Sequence, residues 1–210
     1  LPSIGGVEIV VKDLALGLKS RGYNIDIACK WFPTRDFDEY EGMRILNFKA
    51  NDNINNKKNL QEIHRLAHLI ENAPYKAIII LSQPDNWVGY SLRLVKHTQN
   101  NIIYMPSIRK DLINNWKIAS DTSNIVADLS KAKTLISVSE NGFDKKFMDQ
   151  YNLHNVFITH SVNPIVKEFD FKKTYNLKRK HLILCVANFW PIKNRANLIK
   201  TFINEPGDFD

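Results

Sequence analysis

"KAIIILS", residues 76–82, carries five apolar residues in succession, Ala77 to Leu81, with no polar residue among them. A strand with one wet face alternates. An unbroken β-branched run is what a strand covered on both faces of a parallel sheet requires. Parallel neighbours cannot be joined by hairpins, so helical crossovers must flank such a strand. Upstream, Ile63, Leu66, Ala67 and Ile70 share one face of a predicted helix from Leu60 to Asn72. Downstream, residues 86–98 read as a helix.

Working outward, the alternation continues. Strand 101–105, helix 124–131, strand 134–138, helix 140–150 and strand 155–159 follow on one side. On the other side stand a strand at Met43 to Phe48, the loop "FPTRDFDEYEG" (32–42) and a strand "NIDIAC" (24–29). Before these, Val7, Val10, Val11, Leu14 and Leu18 recur at helical spacing, and Arg21-Gly22 supplies a cation and a glycine stop. Strands alternating with helices of this size make right-handed βαβ units. The expected class is α/β, a doubly wound, mostly parallel, Rossmann-like sheet.

Between His160 and Arg179 the pattern lapses into a polar stretch broken by Pro164, and a new apolar strand, "HLILCVA" (181–187), starts after it. A helix at 195–204 follows. The expected organisation is a first domain over 1–162, a linker over 163–180 and the start of a second domain over 181–210. In doubly wound folds the glycine-rich phosphate loop follows the first, central strand, yet Gly5-Gly6 has no strand in front of it here. The chain is therefore expected to be a piece lacking its first strand and most of its second domain.

The 210 residues are 44% hydrophobic and 24% charged, an ordinary globular composition. No apolar run reaches membrane-spanning length and no basic, then apolar, leader is read at the start. Cys29 and Cys185 each close an apolar run, where buried reduced thiols are usual, which points to the cytoplasm. The net charge of +7 points to an anionic partner, a nucleotide phosphate, phospholipid or nucleic acid, or to a solvated basic surface.

Several motifs are weak by themselves. Gly5-Gly6 is no dinucleotide fingerprint, because Val7 and Val10 stand where further glycines are needed and strand 24–29 ends in Cys29-Lys30 rather than an acid. Glycines there can instead admit a phosphate to the free N–H groups of the next helix. "DFD" at 36–38 and 208–210 could face a metal-bound diphosphate, but neither follows a clear strand end. His64 and His68 have ligand spacing without a third ligand, so an exposed helix face is expected. Ser139 reads as a helix N-cap beside Ser137, with no nucleophile elbow around it. Lys193, in "CVANFWPIKN" (185–194), follows the second domain's first strand, at the sheet edge where open α/β sheets bind ligands.

In this order the motifs resemble the retaining, nucleotide-sugar-dependent glycosyltransferases of family 4, with the two-domain GT-B fold. "PSIGGVEIVVKDLALGLKSRGYNIDIAC" is similar to that family's opening proline, Gly-Gly, x-Glu, leucine-rich helix, Arg-Gly and strand. "ADLSKAKTLISVSENGFDKKF" resembles its segment with Val-Ser before a helix. "NVFITHSVNP" sits at its interdomain strand, and "HLILCVANFWPIKNRANLIKTF" resembles the opening of its second domain. The resemblance covers almost the whole chain. It departs at Asn188, where the family has arginine, at Ser107, where it often has histidine, and at Thr159, His160 and Ser161, which replace a Pro-Asn-Gly motif.

The resemblance implies that the first domain shapes the acceptor side and the second holds the sugar nucleotide. Gly5, Gly6, Asn188 and Lys193 would then meet the donor diphosphate, and Ser107, Arg109 and Lys110 the acceptor. Catalytic groups would lie mainly beyond Asp210. No metal, no cofactor beyond the nucleotide sugar as substrate, and no nucleic acid are implied. The implied activity is transfer of a sugar, hexosyltransferase-like and with retention, to a glycan or lipid-linked acceptor in surface polysaccharide or glycoconjugate synthesis. This piece alone would be inactive. A degenerate GT-B protein that binds a glycan or partner, and a GT-B nucleotide-sugar epimerase, are the alternatives. A further expectation concerns "SIRKDLINNWKI" (107–118): as a helix it would align Ile108, Leu112, Ile113 and Trp116 beside Arg109, Lys110 and Lys117, a face suited to an anionic bilayer or to the domain's own core.

Overall fold

The computed structural model describes residues 6–51, 56–108, 119–159, 170–178 and 195–203. Compact units span Leu1–His160 and Ser161–Asp210. In the first, helix α1 (Gly6–Lys19) leads into β1 (Asp26–Lys30), then β2 (Glu39–Tyr40), β3 (Met43–Phe48) and α2 (Lys57–Asn72). Alternation follows: β4 (Ala77–Ser82), α3 (Trp87–Leu94), β5 (Asn101–Pro106), α4 (Ala119–Leu129), β6 (Thr134–Ser137), α5 (Phe143–Gln150) and β7 (Asn155–Phe157). In the second unit, α6 (Phe171–Thr174) and α7 (Arg195–Ile203) are described. The strand expected at 181–187 lies outside the described residues.

The strands form two sheets. In one, β1 and β3 run parallel, Asp26 opposite Arg44 through Lys30 opposite Phe48, with β2 antiparallel at the edge. In the other, β4, β5, β6 and β7 are parallel throughout. This is the expected doubly wound α/β architecture. Its core packs Ile63, Leu66 and Ile70 of α2 with Ile80, Ile102 and Tyr104 of the sheet, and continues through Leu129, Leu135 and Phe147.

Several boundaries differ from the sequence pattern, each for a tertiary or local reason. The helix predicted over 86–98 stops at Leu94 because the chain beyond it is bonded to the end of α2. Glu71 Oε1 accepts from the N–H groups of Lys96 and His97, and Thr98 Oγ1 and Asn100 Nδ2 donate to Ile70 O. Ser139 is not the cap of α5. Its carbonyl accepts from Gly142 N, and Gly142 itself holds the N-cap position without a side-chain bond. The loop 32–42 conceals a hairpin: Glu41 and Gly42 both have positive φ, 50° and 68°, as a two-residue type I′ turn requires.

Cys29 is half-buried rather than enclosed, and its sulfur accepts from Arg35 Nη1 at 3.1 Å. Cys185 lies outside the described residues. No helix among the described residues is long and apolar enough to cross a membrane.

The main correction concerns β4. Its burial was expected to be complete, yet Ile79 is 36% exposed. The cause is a cavity of about 690 Å³ between β4 and β1, lined by Leu14 and Leu18 of α1, Ile27 of β1, Leu66 of α2 and Ile79 and Leu81 of β4. Among the described residues, β1 is hydrogen-bonded only to β3 and β4 only to β5, so each offers an edge to that space.

The amino ends of the two sheets are joined through Asp26. Arg44 reaches it from the paired position, Nη2 to Oδ2 at 2.5 Å and Nε to Oδ1 at 3.2 Å, and Tyr75 donates from the turn before β4 at 2.7 Å. The Arg44 hydrogen bond, against burial and with help from Tyr75, holds the Asp26 carboxyl below its usual pKa. The unfolded chain therefore takes up the proton first, and this part of the stability is present above about pH 4 and lost as pH falls through the folded-state value. Arg44 is largely exposed, so Asp26→Asn should cost about 0.5–1 kcal/mol at pH 7. Urea midpoints of wild type and variant should converge towards pH 3; a gap that stays constant down to that pH would remove the ion pair as its cause.

Candidate functional site at the carboxyl edge of the sheet

Parallel strands deliver their carboxyl ends, and the loops that follow them, to one edge of the sheet. In the three-stranded sheet those ends carry Lys30 at the end of β1, Trp31 after it and Lys49 after β3; in the four-stranded sheet they carry residues 83–86 after β4, Ser107 after β5 and Ser139 after β6. Ser107 is where the sequence pattern puts it. Its N–H donates to Ser82 O at 3.0 Å, carrying the β4–β5 ladder one residue past the strand, and the residue is exposed. Beneath it Ser82 Oγ and the Tyr104 hydroxyl share a 3.1 Å hydrogen bond. Burial raises the Tyr104 phenol far above its usual pKa, against the lowering by Ser82, so it stays neutral and serves as a fixed support.

The turn from β4 into α3 is unusually close. Asn86 Oδ1 accepts from Val88 N at 2.9 Å and Gly89 N at 3.2 Å, so the first N–H groups of α3 are already satisfied by the protein. Gly89 lies against the Pro84 carbonyl, at a distance no side chain tolerates: a Cβ there would sit 1.9 Å from that oxygen. This turn is a rigid wall of the edge.

Gly6 opens α1 and is exposed, and a Cβ built on it would meet nothing within 4 Å. Packing therefore does not demand glycine at Gly6. Gly5 lies outside the described residues, as do Arg109, Lys110, Asn188 and Lys193, so of the sequence-predicted set the structure describes only Gly6 and Ser107. Ile108 is 6% exposed and belongs to the core cluster, which removes it from the expected membrane-facing arc. The remainder of that arc lies outside the described residues.

A cluster that the sequence pattern did not single out stands at the carboxyl ends of β1 and β3. Lys49 Nζ lies 4.8 Å from the centroid of the exposed Trp31 ring, Lys30 Nζ lies 5.9 Å from that of Phe32, and Trp31 N–H donates to Phe48 O. Cations over aromatic faces at two adjacent parallel strand ends form a basic, partly apolar rim. "CKWFP" (29–33) was the available signal. Only the pairing of β1 with β3 brings Lys49 to it.

His64 and His68 point from the exposed face of α2, and Asp36 and Asp38 are exposed on the loop after β1. Among the described residues no group of three His, Cys, Asp or Glu side chains could hold a metal ion. The second "DFD", 208–210, lies outside them.

No family model matches this chain, and no curated protein matches it in sequence. Among solved structures it is similar to a sucrose-phosphate synthase from Thermosynechococcus elongatus, with a TM-score of 0.69 and 17% sequence identity over 98% of this chain. The chain spans 56% of the length of that protein. At such identity the likeness is one of architecture: the chain has the Rossmann-like α/β fold found in that glycosyltransferase.

Proposed function

We propose that this chain is the acceptor-side part, with the start of the donor-side part, of a glycosyltransferase that moves a sugar from a nucleotide-diphosphate sugar to a hydroxyl of a glycan or lipid-linked acceptor. The observation that carries this reading is the match of fold across 98% of the chain to a sucrose-phosphate synthase. Exposed Ser107 after β5, and Trp31 under Lys49 after β1 and β3, support it as groups at carboxyl strand ends that an acceptor could meet. Gly5, Gly6 and Lys193, with Asn188, serve the leaving diphosphate, whose growing charge is stabilised by N–H groups and a cation as the glycosidic bond breaks. Retention, and a role in surface polysaccharide or glycoconjugate synthesis, complete the proposal.

The test uses a form of the protein with a complete second domain. Lys193→Ala should weaken nucleoside diphosphate binding roughly ten- to a hundredfold, because a charged hydrogen bond to phosphate is worth about 1.5–3 kcal/mol. Lys58→Ala, exposed on the first turn of α2, should leave it unchanged. Equal affinities of both variants by calorimetry would return Lys193 to ordinary solvated lysines. Residues 1–210 alone should transfer no sugar, since the proposed chemistry lies between two domains.

Ser107 favours one alternative, a binding protein without turnover, because a serine hydroxyl cannot shuttle a proton near neutral pH as an imidazole can. Donor turnover by the complete protein would exclude it.

A further inference from the structure

We propose that Trp31 and Lys49, at the carboxyl ends of β1 and β3, form a subsite for an acidic sugar of the hexuronate type. The sugar ring lies on the exposed indole and its carboxylate meets Lys49 Nζ. This subsite deepens the proposed activity, on which it rests for one point, that the bound saccharide belongs to the acceptor.

The two side chains share one face because the ladder runs past the ends of its strands. Cys29 stands opposite Asn47 in the parallel register. The Trp31 N–H donates to Phe48 O at 2.8 Å, the next rung, which sets Trp31 opposite Lys49. Side chains alternate along a strand, so this pair stands on the face that carries Cys29 and Asn47. Lys49 Nζ accordingly lies 4.8 Å from the Trp31 ring centroid. The backbone beneath is fixed from α2 as well. Glu62 Oε2 accepts from the Lys49 N–H at 2.9 Å and from Arg65 Nη2 at 2.7 Å. Trp31 is nevertheless 36% exposed, and Lys49 is exposed. An aromatic surface held in place and left open has little ordering entropy to lose on binding.

Charge selects the ligand. Among the described residues Lys49 has no ion pair, and Glu62, the acid at its backbone, is taken up by Arg65. On the same face Arg35 is only 8% exposed. Its Nη1 donates to Cys29 Sγ at 3.1 Å and its Nη2 to Lys30 O at 3.0 Å and to Asn47 Oδ1, none of them a carboxylate. Its Nε has no hydrogen-bond partner. A guanidinium withdrawn from water without a counter-charge favours an anion nearby. Asp36 and Asp38, the acids of the same loop, form no ion pair with these cations among the described residues. A flat apolar ring beside a cation matches a pyranose with an apolar C–H face and an acid group at its edge. A bilayer is the poorer fit, because most of Trp31 is already covered.

The experiment uses the form with a complete second domain and reads binding by calorimetry. The probes are an oligogalacturonate, the same oligomer as its methyl ester, and phosphatidylglycerol vesicles. The acid should bind at least about tenfold more tightly than the ester, since only the acid offers Lys49 a charged hydrogen bond. Lys49→Ala should weaken the acid by about tenfold or more, and Trp31→Ala by about fivefold or more. Lys30→Ala should weaken it less than Lys49→Ala, because Lys30 points to the opposite face, towards Phe32. Lys76→Ala, exposed just before β4, removes the same charge at the far end of the strands and should change affinity less than about twofold. Urea midpoints establish that each variant folds, and the ester comparison needs no variant. No binding of the acid, equal binding of the ester, no effect of Trp31→Ala, or equal losses from Lys49→Ala and Lys30→Ala overturns the proposal. Vesicle binding without saccharide binding overturns it in favour of a membrane surface. Donor turnover in the same preparation tests the transferase reading separately: turnover without uronate binding sinks the subsite alone, and uronate binding without turnover sinks the transferase.

Discussion

Gly89→Ala should lower the thermal midpoint of the first unit by about 6–12 °C, the shift expected for about 3 kcal/mol in a domain of this size. The new methyl carbon would lie 1.9 Å from the Pro84 carbonyl oxygen and 2.5 Å from its carbon. Neither atom can swing aside like a side chain. Pro84 is buried, and Asn86 bonds the N–H of Gly89 itself. Relief requires α3 to move off the end of β4, pulling Trp87 away from Phe48, whose ring lies 5.7 Å from it centroid to centroid. Gly17→Ala provides the contrast. Its Cβ would meet only Arg21 Nη1, at 3.6 Å, and alanine within a helix should add about 0.5–1 kcal/mol. Calorimetric midpoints of the two variants moving the same way would refute the close-approach account of Gly89.

Arg93→Ala should destabilise by about 2–3 kcal/mol at pH 7, somewhat less than a fully buried ion pair because Arg93 is partly exposed. The Asp128 side chain is 3% exposed and accepts from Arg93 Nε at 2.9 Å, with Lys131 Nζ at 3.7 Å. Lys131 also donates to the carbonyls of Leu92 and Arg93, tying α4 to the end of α3. Burial raises the Asp128 pKa despite both cations. A raised carboxyl binds its proton more tightly in the folded than in the unfolded chain, so this group's contribution falls as pH rises from about 4 through the folded value. Removing Arg93 lifts that value further. The loss should therefore be largest at neutral pH and shrink towards pH 4. Adding Asp128→Asn should recover much of it by leaving no unpaired charge. Urea titrations of the single and double variants across pH decide the matter; a pH-independent loss would point to the Arg93 stacking on Tyr90 instead.

These two sites show how far the sequence reads. The glycine at 89 was visible, but not that Pro84 would back onto it, since that contact depends on the turn after β4. Asp128 and Arg93 are 35 positions apart, and no periodicity in either helix announces their pairing. Ser107 at the end of β5 was readable because a strand's carboxyl end follows from its apolar run. Lys49 over Trp31 was not, because it needs the register of β1 against β3.

By itself the sequence determined the α/β class, the succession of strands and helices, and the stop of α1 at Gly22, because apolar period and glycine are local properties of the chain. Tertiary structure decided the rest. The end of α3 belongs to α2, whose Glu71 and terminal carbonyls capture residues 96–100. Ile108 belongs to the core. The exposure of Ile79 is set by what does or does not stand between β1 and β4, because a strand's burial depends on its neighbours and cannot be written into its own residues.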